Sequence, residues 1–354
     1  MHDRENRPRT STIRRGGILL AALMLALPVA VAAGESGPGA GKTVQPTRAN
    51  WDSFWFGAHV LQIGLEKLGY DVKKQKTLTT PPRYAALASG DVDYSSDVVW
   101  PNGKSFIDKV KADIELLGPI MKPGSIQGYL VDRKTAEAHK ITSVEDLKRP
   151  EIIKLLDADG DGKADLTGCN PGWACEKIIN HHMKAYNLEP TVKHLQGEYN
   201  VLVGDAVARY KAGKPVLLYA WYPNVATIQM LPGMSKDLVW LNVPKTDLPK
   251  GMEKVKTEIA GIDGCAGNAD PCNTGWSATT YFIGVNKAWM AKNPAARKFF
   301  EVVKMKLGDR VKQNLAMKNG EDSEADIRRH AEEWIAANKQ KFEGWLAEAR
   351  AAAK

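Results

Sequence analysis

The densest run of chemistry-bearing residues is Thr167-Gly-Cys-Asn-Pro-Gly-Trp-Ala-Cys175, which leads straight into the helical pattern Glu176 to Tyr186. A short disulfide loop there would present one indole beside a helix amino terminus, where free backbone N–H groups and the helix dipole favour a carboxylate or similar anion. The same residues also fit a stapled surface turn whose Trp plugs the core. Two further tryptophans stand in matching contexts. A helix, Gly90 and a strand lead to Trp100, and a helix, Gly213 and a strand lead to Trp221; Pro and Asn follow each within three residues. Strands that alternate with helices build parallel sheets, which bind ligands beyond the carboxyl ends of their strands. Trp100 and Trp221 are therefore expected either to face such a crevice or to fill the core.

Other clusters carry less. Asp157-Ala-Asp-Gly-Asp-Gly-Lys-Ala-Asp165 sets Asp157, Asp159, Asp161 and Asp165 at four positions of a calcium loop, but Gly168 stands where the bidentate Glu belongs, so an acidic turn is the simpler reading and no metal is expected. His181 and His182 are helical neighbours that point in different directions, which suits a solvated face better than a metal site. The chain has no GxSxG, HExxH, GxxxxGK[ST] or CxxCH. Neither an enzyme nor a cofactor is expected.

These residues need a scaffold and a compartment. At 354 residues, 44% hydrophobic and 25% charged, the chain has an ordinary globular composition and room for about two domains. Of the formal +8, five Arg against one Asp and one Glu lie in residues 1–33, leaving a mild balance that suits no nucleic-acid partner. Arg14 and Arg15 precede an apolar run from Ile18 to Val31 and then Ala32 and Ala33, the pattern of a cleaved secretory signal. The first cysteine is Cys169, so a lipid anchor is not expected and the mature chain should be free in the periplasm. There the four cysteines read as disulfides, Cys169 with Cys175 and Cys265 with Cys272, each closing a short loop.

Apolar spacing from Phe54 through Leu68, ended by Gly69, predicts a first helix. Strands are expected at Ile126–Val131 and Thr279–Val285, and a capping box at Ser143 to Asp146 should open a helix. A helix should also start at Asn293-Pro294. From Ser323 onward the chain reads as helical, with Trp334, Phe342 and Trp345 as packing residues.

Together, Gly128-Tyr-Leu-Val-Asp132, the Asp-rich turn, the Cys-Asn-Pro-Gly-Trp-Ala-Cys loop and Asn286-Lys-Ala-Trp289 make the chain resemble a known family. That family is the periplasmic glycine betaine and proline betaine (L-proline) binding proteins of osmoprotectant ABC importers. The resemblance implies a type II-like α/β fold of two lobes, each a sheet flanked by helices: 42–127 plus 283–354 as lobe I, and 128–282 as lobe II. It implies a ligand between the lobes, held in a box of Trp100, Trp173 and Trp221, with the Ala174 and Cys175 amides on its carboxylate. The expected partners are the membrane permease and ATPase subunits of an importer, with the receptor itself a monomer. Family members show Trp-Thr-Pro-Leu-His, whose His assists the carboxylate. Here a one-residue insertion precedes Trp100-Pro-Asn-Gly-Lys104, and Lys104 either supplies that contact as a point charge or is solvated. The segment Gly251 to Trp276 also departs from the family pattern. Choline, carnitine or an amino acid are alternative solutes on the same architecture, and a periplasmic hydrolase is the alternative from another class.

Overall fold

The structure is a computed structural model that describes residues 37–228 and 236–354. The chain divides into two units, 1–35 and 36–354, of which the second is compact. The first, with the expected signal segment, lies outside the described residues. In the second the chain lays down β1 (Thr43–Val44), β2 (Pro46–Ala49), α1 (Trp55–Lys67), β3 (Asp71–Val72), β4 (Lys76–Leu78), α2 (Thr80–Ser89), β5 (Tyr94–Trp100), α3 (Lys104–Val110) and β6 (Ile114–Met121). Next come β7 (Ile126–Asp132), α4 (Arg133–His139), α5 (Pro150–Leu156), β8 (Ala164–Thr167), α6 (Ala174–Ala185), β9 (Val192–Leu195), α7 (Tyr199–Lys211) and β10 (Leu217–Tyr222). After β11 (Leu238–Trp240), β12 (Glu258–Ile259) and β13 (Cys272–Asn273), β14 (Thr280–Asn286) leads to α8 (Lys287–Ala291), α9 (Pro294–Val302), α10 (Leu307–Lys318), α11 (Glu324–Ala337) and α12 (Lys339–Ala351).

Two five-stranded sheets share one plan. The first runs β4-β2-β5-β14-β6 and the second β11-β7-β10-β8-β9. In each, three parallel strands meet a fourth that is antiparallel: β14 beside β5, and β7 beside β10. The parallel arrangement expected from strand–helix alternation thus holds for three strands of each sheet. The antiparallel strand enters from the other half of the chain, so it cannot share the direction of strands laid down by local strand–helix–strand steps.

The cores follow the sheets. Leu61 and Leu65 of α1 meet Phe299 and Phe300 of α9 and Phe342 and Leu346 of α12 on one face of the first sheet. Tyr84, Leu87, Val98 and Phe106 fill the space under α2 and α3 on its other face. Around the second sheet, Leu130, Ile178, Val203, Leu217, Trp240 and Trp276 pack together. Trp345 is buried, and Trp334 meets it face to face while abutting Phe56 edge-on, so both late tryptophans serve packing. Gly90 and Gly213, at φ +84° and +71°, let the chain turn from α2 and α7 into the central strands β5 and β10.

Three local details differ from the sequence reading. The capping box at Ser143 and Asp146 is present, but it opens a 3-10 turn, Val144–Lys148, that extended Arg149 separates from α5, which starts at Pro150. Asn293 precedes α9 without capping it through its side chain, which instead donates to the Trp289 carbonyl at 2.7 Å. His182 is fully buried, not solvated. The Tyr129 hydroxyl lies 3.0 Å from its Nδ1, and burial pushes its pKa down to about 3.

Candidate functional site

The carboxyl ends of β2, β5 and β10 and the amino end of α6 converge on one cavity. Its lining runs from Trp51, after β2, through Thr80, Arg83 and Tyr84 of α2 to Val99, Asn102 and Gly103 at the end of β5. Gln127 of β7, Trp173 with Ala174 and Cys175, Tyr219 and Trp221 of β10, and Tyr281 of β14 complete it. Water centres have about 60 Å³ inside it. Since about 10–15 Å³ is enough to hold one water, that is room for several waters or a small solute.

The amino end of α6 is shaped by the Cys169–Cys175 disulfide, which ties the end of β8 to the first helical turn with its Cα atoms 6.5 Å apart. Asn170, inside the loop, accepts the Tyr199 N–H at 2.9 Å, and Glu176 accepts the Gly172 N–H at 2.7 Å. No side chain caps α6, so its first-turn amides, those of Ala174 and Cys175 among them, keep their hydrogens for something in the cavity. The second pair, Cys265–Cys272, closes a loop beside β13, away from the cavity.

Three indoles stand around this end. Trp173 meets Trp51 edge to face at 5.3 Å and Trp221 at 6.1 Å with planes 63° apart. Tyr199 stacks behind Trp221 at 4.7 Å and fixes its plane. The ring N–H groups are spent elsewhere: Trp173 Nε1 donates to Asn50 Oδ1 at 3.1 Å, and Trp221 Nε1 donates to Ser53 Oγ at 3.2 Å. Indole edges thus join α6 and β10 to the segment after β2, while ring faces are left for the cavity. Ser53 is itself held by Arg310 of α10, which donates to its hydroxyl and carbonyl, both at 2.8 Å.

Trp173, Trp221, Ala174 and Cys175 therefore line a common space, and Trp100 and Lys104 do not. Trp100 packs beside α2 and α3 with Val98, whereas its neighbour Val99 takes the cavity position. The cause is a bulge: from Ser95 to Val98 β5 advances three residues while β14 advances only two, from Gly284 to Phe282. One extra residue exchanges the faces of everything after it, because strand side chains alternate with period two. Tyr94, before the bulge, faces the α1–α9 core, and Val98, an even number of residues later, faces the opposite side. Lys104, the first residue of α3, pairs with Asp108 one turn along at the surface.

Sequence reasoning missed Trp51, Arg83, Thr80, Asn102 and the cavity tyrosines. Trp51 follows a parallel strand directly, so the rule that singled out Trp100 and Trp221 could have found it. Tyr219 shares a face with Trp221 by simple alternation, and its hydroxyl donates to Gln127 Oε1 at 2.8 Å. Arg83 carried no local signal. It is buried, its Nη1 bound to Asp97 Oδ1 and, at 3.0 Å, to Ser95 Oγ. Burial pushes the Asp97 carboxyl up and the Arg83 guanidinium pulls it down. The Asp-rich turn lies elsewhere. Asp157, Asp159 and Asp165 cluster there, and Lys193 Nζ pairs with both Asp159 and Asp161 at 2.6 Å. His181 pairs with Asp247 at 2.7 Å.

Residues 42–337 match the model of the substrate binding domain of ABC-type glycine betaine transport systems. The glycine betaine/proline betaine-binding periplasmic protein of Escherichia coli strain K12 is 41% identical over 318 residues, 90% of this chain and 93% of that one. Lactococcal OpuAC in its closed form with glycine betaine has a TM-score of 0.65 at 20% identity, covering 86% of this chain and 99% of that one. An ABC-transporter choline binding protein in complex with choline has 0.66 at 18%, covering 88% and 96%. These structures share the two-lobed fold. With a family model matched over most of its length and a relative 41% identical along nearly all of it, the chain belongs to the family of substrate-binding domains of ABC-type glycine betaine transport systems.

Proposed function

We propose that this chain is a periplasmic receptor, not an enzyme, that captures glycine betaine or proline betaine and delivers it to the permease and ATPase subunits of an ABC importer. The observation that carries the reading is the position of Trp173: its ring enters the cavity at the point where α6 presents uncapped amides. A quaternary ammonium against Trp51, Trp173 and Trp221 gains cation–π attraction, about 2 kcal/mol for a desolvated contact. The carboxylate of the same molecule then reaches the Ala174 and Cys175 N–H groups. Trp51 takes the place in the box that the family resemblance assigned to Trp100.

In this reading 42–127 with 283–354 and 128–282 are the lobes that close on the solute, and residues 1–33 are a cleaved signal. Calorimetric titration with glycine betaine, proline betaine, choline, carnitine and free amino acids tests it. The two betaines should bind most tightly. Tightest binding of choline or of an unmethylated amino acid, or turnover of any bound solute, would overturn it.

A further inference from the structure

Three buried polar side chains on the cavity wall have hydrogen-bonding atoms with no partner among the described residues. Thr80 and Arg83 lie in the first turn of α2 and Asn102 in the turn after β5; they are 3%, 2% and 4% exposed. All three line the cavity, and Thr80 Oγ1, Arg83 Nε and both amide atoms of Asn102 lack a partner. A buried donor left unpaired forfeits its hydration without return, so native proteins rarely tolerate one, and three on one cavity wall ask for a ligand.

The chemistry of that ligand follows from the donors. An arginine Nε–H can only donate, a threonine hydroxyl and an asparagine amide can both donate, and a fixed guanidinium repels a cation. Arg83 is fixed: Nη1 is held by Ser95 Oγ and by the Asp97 carboxylate and carbonyl, leaving the Nε edge uncommitted. Its guanidinium carbon lies 4.9 Å from the centre of the Trp51 ring. We infer that Arg83, Thr80 and Asn102 form a second grip on the solute's carboxylate, beside the amides of α6 in the same cavity, and that this grip selects small zwitterions over plain quaternary ammonium ions. The inference rests on the betaine reading above. It gives the contact expected of Lys104 to Arg83, Thr80 and Asn102. Choline, whose hydroxyl carries no charge, would leave the guanidinium edge uncompensated.

The test is calorimetry of the full exported chain and of Thr80→Val, Asn102→Ala and Arg83→Lys with glycine betaine and with choline. Arg83→Lys keeps a cation beside Asp97 and removes the Nε donor, and the two milder variants leave the ion pair intact. Each substitution should weaken glycine betaine about ten-fold or more, the worth of one charge-assisted hydrogen bond, and leave choline within about two-fold. Glycine betaine binding that survives all three substitutions, or equal losses for both solutes, would overturn the grip while leaving the receptor reading standing. Absence of glycine betaine binding by the unaltered chain would overturn that reading, and the grip with it.

Discussion

β5 and β10 are the middle strands of their sheets, each reached through a glycine of positive φ, each with a tryptophan in its last two residues and Pro and Asn close behind. Along β10 the register against β7 is unbroken from Leu217 opposite Val131 to Tyr222 opposite Ile126, and Tyr219 and Trp221 both reach the cavity. Along β5 the bulge between Ser95 and Val98 exchanges the faces, and Trp100 turns under α2 and α3. The space it leaves is shared by Val99, Arg83 and Trp51. The extra residue of β5 relative to β14 thus leaves Val99 and Arg83 on a wall where a strand-end indole was expected, with Trp51 of the neighbouring strand's end beside them.

The largest effect that can break this comparison comes from Trp221 of β10 and from Trp173 at the start of α6. Trp221→Ala or Trp173→Ala should weaken glycine betaine binding about ten-fold or more, from a cation–π contact of ~0.5–2 kcal/mol plus lost packing. Isothermal titration reads it directly, and an affinity within two-fold of the parent would remove β10 from the site. Trp100→Ala comes next and acts on stability. Removing a partly buried indole from the α2–α3 cluster should cost about 1–3 kcal/mol in denaturant unfolding, less than full burial would imply. A fall in affinity with no fall in stability would mean that Trp100 faces the solute after all.

Much of the second lobe's contribution was legible. A short cysteine loop opening on a helix and a strand ending in Trp are local patterns, and Trp173, Ala174, Cys175 and Trp221 sit where those patterns imply. The first lobe was harder because its answer depends on register. Nothing within Asp91 to Lys104 alone says that the extra residue is absorbed as a bulge instead of lengthening the turn; the partner strand β14 decides it. Arg83 was hidden for a related reason, since its partner Asp97 lies on another element. The buried His182 shows the same limit: a helix pattern gives its direction, but only the packed Tyr129, Tyr186 and Trp276 rings make that face apolar.

Acid should separate the lobes by a smaller margin. His182 has its pKa lowered to about 3 from 6.5 by burial and then by His181, against a weaker opposite pull from Asp247. The unfolded chain therefore takes up this proton first: the contribution is fully present above about pH 6.5 and is lost as pH falls toward 3. His59, buried in the first lobe, is also lowered by desolvation, but Glu324 lies 2.9 Å from its ring and opposes the shift. Melting temperatures between pH 7.5 and 4.5 should fall less steeply for His182→Gln than for the parent; parallel slopes would contradict the assignment. The smallest effect belongs to Lys104→Ala, which removes a surface pair with Asp108 worth about 0.5 kcal/mol or less and should leave betaine affinity unchanged. A selective loss of betaine binding there would restore Lys104 to the carboxylate.

The central claim is that the aromatic box closes with Trp51 and not with Trp100. Titration of glycine betaine into Trp51→Ala and Trp100→Ala, each first shown to be folded by its thermal transition, tests it in one experiment. The account predicts an affinity about ten-fold or more weaker for Trp51→Ala and within about two-fold of the parent for Trp100→Ala. The reverse order would contradict it, and would place the indole of β5 in the site.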